Sequence, residues 1–292
     1  MPNGIILLDK PRGLTSNGAL QRVRRAYHAR SAGHVGTLDP MATGMLPICL
    51  DEATKVIAEI EAGAKAYEFT LQLGARTDTG DAEGQVVERL PVPALDGPAV
   101  ESVLGGFRGA QRQVPPMYSA LKRAGRPLYE LARQGIEVER SARDIEIRHL
   151  ALLETGPDWL RLGCECTKGT YIRVLGEDIA RALETAGHLS QLRRTWVEPF
   201  RALPMVTLEA VLEGAAAGAG LLSPDAALQA MASVALSAPQ LTQVRHGQPV
   251  VGHVAGAEPG RRVRLYGPDG AFVGIAEVLA DGRCQPRRLL LP

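Results

Sequence analysis

Two apolar runs, residues 145–153 and 159–166, flank the turn Thr155-Gly156-Pro157-Asp158, and this pairing constrains the fold more than any other feature of the chain. Apolar runs around a Gly-Pro turn read as paired strands. A third run, residues 67–73, alternates with Tyr67, Phe69, Leu71 and Leu73 on one face, as a strand should. Helical patterns interrupt these strands. Thr15 or Ser16 offers an N-cap for a helix to about Tyr27, with Leu20 and Val23 inward. After Gly169 a helix to about Ala186 carries the stripe Ile172, Leu175, Ile179 and Leu183. Further helices are expected near residues 52–61, 100–107 and 127–134, and strands at 5–8, 86–87 and 189–197. Residues 33–47, dense in Gly and Pro, read as a loop. There is no regular βαβ alternation, so the expected class is α+β: a mixed, mainly antiparallel sheet flanked by helices.

Composition shifts after Pro204. Residues 206–235 are rich in Ala and Gly, hold no Lys or Arg, and are expected to form short helices. From His246 onward, short Val/Leu-rich runs between Gly- and Pro-containing turns read as a small β-barrel-like module. The expected division is a main domain at 1–205, a helical linker region at 206–245 and the module at 246–292. No apolar run approaches the ~20 residues of a membrane span. The first residues lack the basic start and cleavage site of a signal peptide, so the cytoplasm is the expected address. Cys49, Cys164, Cys166 and Cys284 include no second close pair or Cys/His cluster that completes a zinc site; buried, reduced thiols are expected. With no coiled coil in view, the expectation is a monomer that needs no membrane and no protein partner.

Charge is segregated. The formal net charge is only +1, yet Arg108, Arg112, Lys122, Arg123, Arg126 and Arg133 gather against Glu130 alone, and Arg22, Arg24, Arg25 and Arg30 form another basic group. Acidic residues collect between Glu61 and Asp96. This distribution suits a basic groove on a balanced surface, although solvated helix faces would explain any single cluster equally well.

The most informative stretch is Gly33-His34-Val35-Gly36-Thr37-Leu38-Asp39-Pro40-Met41-Ala42-Thr43-Gly44-Met45-Leu46-Pro47. Taken alone, Asp-Pro in a glycine-rich loop is a turn starter. The whole stretch, however, resembles the catalytic motif of bacterial tRNA pseudouridine-55 synthases, the TruB family, almost position for position. Further segments match that family in order: Leu8-Asp9-Lys10-Pro11, Lys65-Ala66-Tyr67-Glu68, Arg76-Thr77-Asp78-Thr79-Gly80-Asp81, Pro115-Pro116-Met117-Tyr118-Ser119-Ala120-Leu121-Lys122 and Lys168-Gly169-Thr170-Tyr171-Ile172-Arg173. The C-terminal region resembles, more loosely, the PUA RNA-binding module.

The resemblance implies an isomerase that converts uridine to pseudouridine at position 55 in the T-loop of tRNA, by base flipping and covalent catalysis. Asp39 is then the nucleophile, Tyr67 stacks on the flipped uracil and offers a hydroxyl for proton transfer, and Arg173 pairs with Asp39. His34 is implied to enter the RNA where the base leaves, and Tyr171 to pack the pocket. Lys10, in the N-terminal motif that supports the catalytic loop, and Lys122, Arg123 and Arg126, as phosphate contacts, complete the substrate-binding set. Read without the family, Tyr67 is a core tyrosine, Arg173 a solvated helix residue and His34 incidental. The reaction breaks the N1–C1′ bond and rejoins the base through C5, with no redox change and no donated group, so no cofactor and no metal are expected. Asp78 and Asp81 fit backbone capping better than a metal pair. The alternative is an RNA-binding or tRNA-folding protein that shares the fold without needing the chemistry. A carboxylate glycosidase would require a second acid/base carboxylate, and no matching second motif is present.

Overall fold

The computed structural model describes residues 2–123, 125–215, 218, 220–252 and 258–290. The chain runs through β1 (Gly4–Lys10), α1 (Ser16–Ala26), β2 (Ala32–His34), β3 (Thr43–Leu50), a 3-10 helix (Asp51–Val56), α2 (Ile57–Glu61) and β4 (Lys65–Leu73). A hairpin of β5 (Ala75–Thr77) and β6 (Val86–Arg89) follows, then α3 (Gly97–Gly105), β7 (Gly109–Gln113), a second hairpin of β8 (Lys122–Arg123) and β9 (Arg126–Pro127), and α4 (Leu128–Arg133). The long strands β10 (Arg143–Thr155) and β11 (Trp159–Cys166) precede α5 (Ile172–Ala182) and β12 (Gly187–Val197). The rest comprises β13 (Val206–Thr207), α6 (Leu208–Gly214), a 3-10 helix (Pro224–Leu228), β14 (Ala232–Ala235), α7 (Ala238–Arg245), β15 (Val250–Val251), β16 (Arg262–Tyr266), β17 (Phe272–Val278) and β18 (Arg283–Leu289).

Among the described residues, nine strands form the main sheet in the order β13-β1-β3-β12-β4-β11-β10-β7, with β2 added on β3. Only the β1–β13 and β3–β12 pairs are parallel, so the sheet is mixed and mainly antiparallel, as expected. The β10–β11 hairpin and the 67–73 alternation are its right half. Phe69, Leu71 and Leu73 of β4 meet Ile172, Leu175 and Ile179 of α5 in one core, which extends over β1, β3 and α1. A second core on β1, β3 and β12 is closed by the two 3-10 segments and Phe200. The Thr15 hydroxyl caps α1 by accepting from the Gly18 amide.

Several elements differ from the sequence reading, three of them in the main sheet or beside it. Residues 33–47 are not one loop: β2 and β3 take both ends, because the buried run 44–50 pairs along all of β1. The helix near 52–61 is a 3-10 helix for its first part. Strand β7 was not expected, since its sequence Gly-Ala-Gln-Arg-Gln carries no apolar alternation and it is an edge paired only with β10.

The second sheet, β14-β16-β17-β18-β15, is a curled half-barrel with its own apolar core. Its edge β14 falls within the stretch read as linker and pairs in parallel with β16. Residues 216–217 and 219 of that stretch, 253–257 and 291–292 of the expected module, and Met1 and Ala124 lie outside the described residues. The module joins the main body through Lys55 Nζ, which donates to the Leu289 carbonyl at 2.7 Å, and the Arg262–Glu59 ion pair. Among the described residues no helix is long and apolar enough to cross a membrane. All four cysteines are buried thiols.

Candidate active site

Asp39 sits in the loop 35–42, between β2 and β3, and the loop is fastened from beneath. The Ser16 hydroxyl donates to the Leu38 carbonyl at 2.9 Å and accepts from the Leu38 amide at 2.8 Å. Lys10 is fully buried, and its ammonium donates to the carbonyls of Leu14 (2.7 Å), Pro11 (3.0 Å) and Pro40 (3.3 Å). Lys10 therefore lies under the loop, not on a surface open to RNA. Burial pulls its pKa down to about 8, against the attraction of Asp39.

Arg173 stands at the start of α5 and is 5% exposed. Its Nε donates to Asp39 Oδ2 at 2.9 Å and its Nη2 to Oδ1 at 3.3 Å, a two-pronged ion pair. The same guanidinium donates to the carbonyls of Thr79 and Tyr118, each at 2.7 Å, so one side chain joins three loops. Asp81 Oδ2 lies 3.8 Å from its Nε. Burial raises the Asp39 pKa; Arg173 opposes that, while Asp81 adds to it. Asp78 and Asp81 both act as caps: Asp78 accepts the Gln85 amide at 2.8 Å, and Asp81 the Glu83 amide at 3.0 Å.

Tyr67 is buried on β4, opposite Arg194 of β12. Burial pushes its hydroxyl up to about 12, only partly offset by the neighbouring Arg194. It is a neutral phenol near pH 7. Tyr171 is the N-cap of α5, and its backbone is clamped by Gln113, whose side chain accepts from the Tyr171 amide at 2.7 Å and donates to its carbonyl at 3.1 Å.

Asp39, Tyr67, Tyr171 and Arg173 share one cleft of about 400 Å³, with Leu192, Arg194, Arg143 and Lys65 also in its walls. That volume suits a group the size of a nucleoside. His34 lies on β2, outside this lining, and desolvation followed by Arg194 lowers its pKa, so the imidazole is neutral near pH 7. Lys122, Arg123 and Arg126 are exposed on the β8–β9 hairpin, directly after the cleft-lining residues Ser119 to Leu121. Arg123 and Arg126 reach the Glu139 carbonyl and the Gln134 side chain. The arrangement offers a carboxylate held by a fixed cation, an aromatic wall, and basic groups at the rim.

Sequence reasoning missed Arg194, Lys65, Gln113 and Arg143. Arg194 shares strand parity with Leu192, and that parity was the available signal that it points inward.

Family models match the chain in three consecutive pieces. "TruB family pseudouridylate synthase (N terminal domain)" covers residues 24–172, "tRNA pseudouridylate synthase B C-terminal domain" covers 173–230, and "Pseudouridine synthase II TruB, C-terminal" covers 232–290. The tRNA pseudouridine synthase B of Chromohalobacter salexigens is 48% identical over 290 residues, covering 99% of this chain and 94% of that protein. The protein of the same name from Stutzerimonas stutzeri is 49% identical over 294 residues, covering 99% and 95%. A chain in the crystal structure of a Cbf5-Nop10-Gar1 complex superposes with a TM-score of 0.76 at 23% identity, covering 100% of this chain and 86% of that one, a likeness of fold.

Proposed function

The chain belongs to the TruB family of pseudouridylate synthases, and on that premise we propose that it isomerises the uridine at position 55 in the T-loop of tRNA. The observation that carries this reading is the two-pronged Arg173–Asp39 pair at the floor of a nucleoside-sized cleft. The target uridine leaves its stack and enters the cleft against Tyr67. Asp39, ionised, bonds to the substrate as the N1–C1′ bond breaks; the uracil turns, C5 bonds to C1′, the bond to Asp39 breaks, and the C5 proton is lost while N1 takes one up. Arg173 holds the carboxylate ionised and aimed. Tyr67, as a neutral phenol, donates a hydrogen bond to the turning base. The acting groups all belong to the chain and the substrate, so the reaction as written consumes no cofactor.

Lys122, Arg123 and Arg126 would meet phosphates beside the flipped nucleotide, and His34 the gap it leaves. Residues 1–205 would act as the catalytic domain, and the module from 246 onward would hold the tRNA farther away. The test is tritium release from an unmodified tRNA transcript labelled at C5 of uridine, without added metal or nucleotide. Wild type is expected to release tritium, Asp39→Asn to release none while still binding tRNA, and a transcript with cytidine at position 55 to yield none from that site. Binding without release by wild type would favour an RNA-binding protein instead.

A further inference from the structure

Arg194 is 1% exposed yet borders the cleft, and the steps above do not use it. Its Nε donates to the Met45 carbonyl at 2.7 Å, just after the Asp39 loop, and its Nη2 to the carbonyls of Val35 (3.2 Å) and Gly36 (3.0 Å), at the start of that loop. Across the sheet, Gly44 on β3, Arg194 on β12 and Tyr67 on β4 stand abreast, and Arg194 and Tyr67 line the same cleft. The loop is shaped around this residue. Gly36 (φ 65°) and Gly44 (φ 98°) both need the left-handed region; a Cβ at Gly36 would lie 2.9 Å from Arg194 Nη1, and one at Gly44 2.1 Å from the Arg194 carbonyl oxygen. Among the described residues no carboxylate pairs with this guanidinium. A buried cation met only by neutral oxygens is costly, and its arms satisfy a particular set of them.

We propose that Arg194 is a positioning residue that holds both ends of the Asp39 loop from the strand position abreast of Tyr67 and so fixes the nucleophile and the aromatic wall relative to each other. This rests on the roles of Asp39 and Tyr67 given above. A lysine ammonium is a compact point charge and cannot span oxygens on both sides of the loop as the guanidinium does.

The test is a double-mutant cycle under single-turnover conditions: wild type, Arg194→Lys, Tyr67→Phe and the pair, each assayed for tritium release, tRNA binding and thermal unfolding. Arg194→Lys is expected to slow turnover on the order of 10²-fold, as a misplacement of about 1 Å would, with tRNA affinity unchanged. The double variant is expected to be no slower than the slower single variant. Multiplying losses, or a loss that follows tRNA affinity, would overturn the inference. Should Arg194→Lys fail to unfold cooperatively, Gly36→Ala takes its place in the cycle, since it crowds Nη1 while keeping the charge; coupling with Tyr67→Phe supports the inference and multiplying losses overturn it. A wild type that releases no tritium overturns the reading of the site and this inference with it, whereas an active wild type with multiplying variants overturns the inference alone.

Discussion

At the residue scale, the state of Asp39 near neutral pH is decided by two opposed effects. Burial raises its pKa above the ordinary 3.8 and Arg173 pulls it back. An activity that needs the carboxylate is lost as pH falls through that raised value, so the acid limb of the single-turnover rate should lie above 3.8. Arg173→Lys replaces a two-pronged partner with a point charge, and the limb should move to still higher pH. A limb that stays in place would remove Arg173 from the control of Asp39. Lys10 makes a separate case. Lys10→Met leaves three carbonyls without their donor, at about 1–3 kcal/mol for each that stays unsatisfied. The urea midpoint should therefore fall, and turnover should suffer more than tRNA binding. Weaker tRNA binding at unchanged stability would instead return Lys10 to contact with RNA. The motif around Asp39 was legible because fifteen consecutive positions carry it. Arg194 was not, because the neighbouring Arg193 has the same side chain and instead pairs with Asp9 at the surface, at 2.8 Å.

At the scale of elements, periodicity was readable wherever one face is apolar and the other wet. The β10–β11 hairpin and α5 meet that condition. It failed for β3, which is buried on both faces over most of its length and carries Gly44 and Pro47, residues that ordinarily punctuate turns. It failed also for β7, whose pairing with β10 is supplied by the backbone and not by side-chain pattern. The β3–β12 junction is the tightest of these contacts. Gly44→Ala would drive a Cβ into the Arg194 carbonyl oxygen at a φ that L residues rarely adopt. The expected cost is about 3 kcal/mol or more, read as a lowered urea midpoint. A midpoint like that of wild type would mean that β3 and β12 can separate without loss.

At the scale of the molecule, a net charge of +1 does not describe what an approaching polyanion meets. The β8–β9 hairpin places Lys122, Arg123 and Arg126 together in solvent beside the cleft. Changing the three to Gln should weaken tRNA binding and lower its salt dependence by about one unit of log–log slope for every phosphate left without its cation, with turnover at saturating tRNA retained. An unchanged slope would move the phosphate-binding groups elsewhere. The order of strands has a further consequence for the cell that makes the protein. β12, at residues 187–197, is inserted between β3 and β4, which were synthesised well over a hundred residues earlier. Until the ribosome has released that strand, the half of the sheet bearing Asp39 and the half bearing Tyr67 have nothing between them. A nascent chain in which β12 has not yet emerged therefore cannot bring the two halves of the proposed site together.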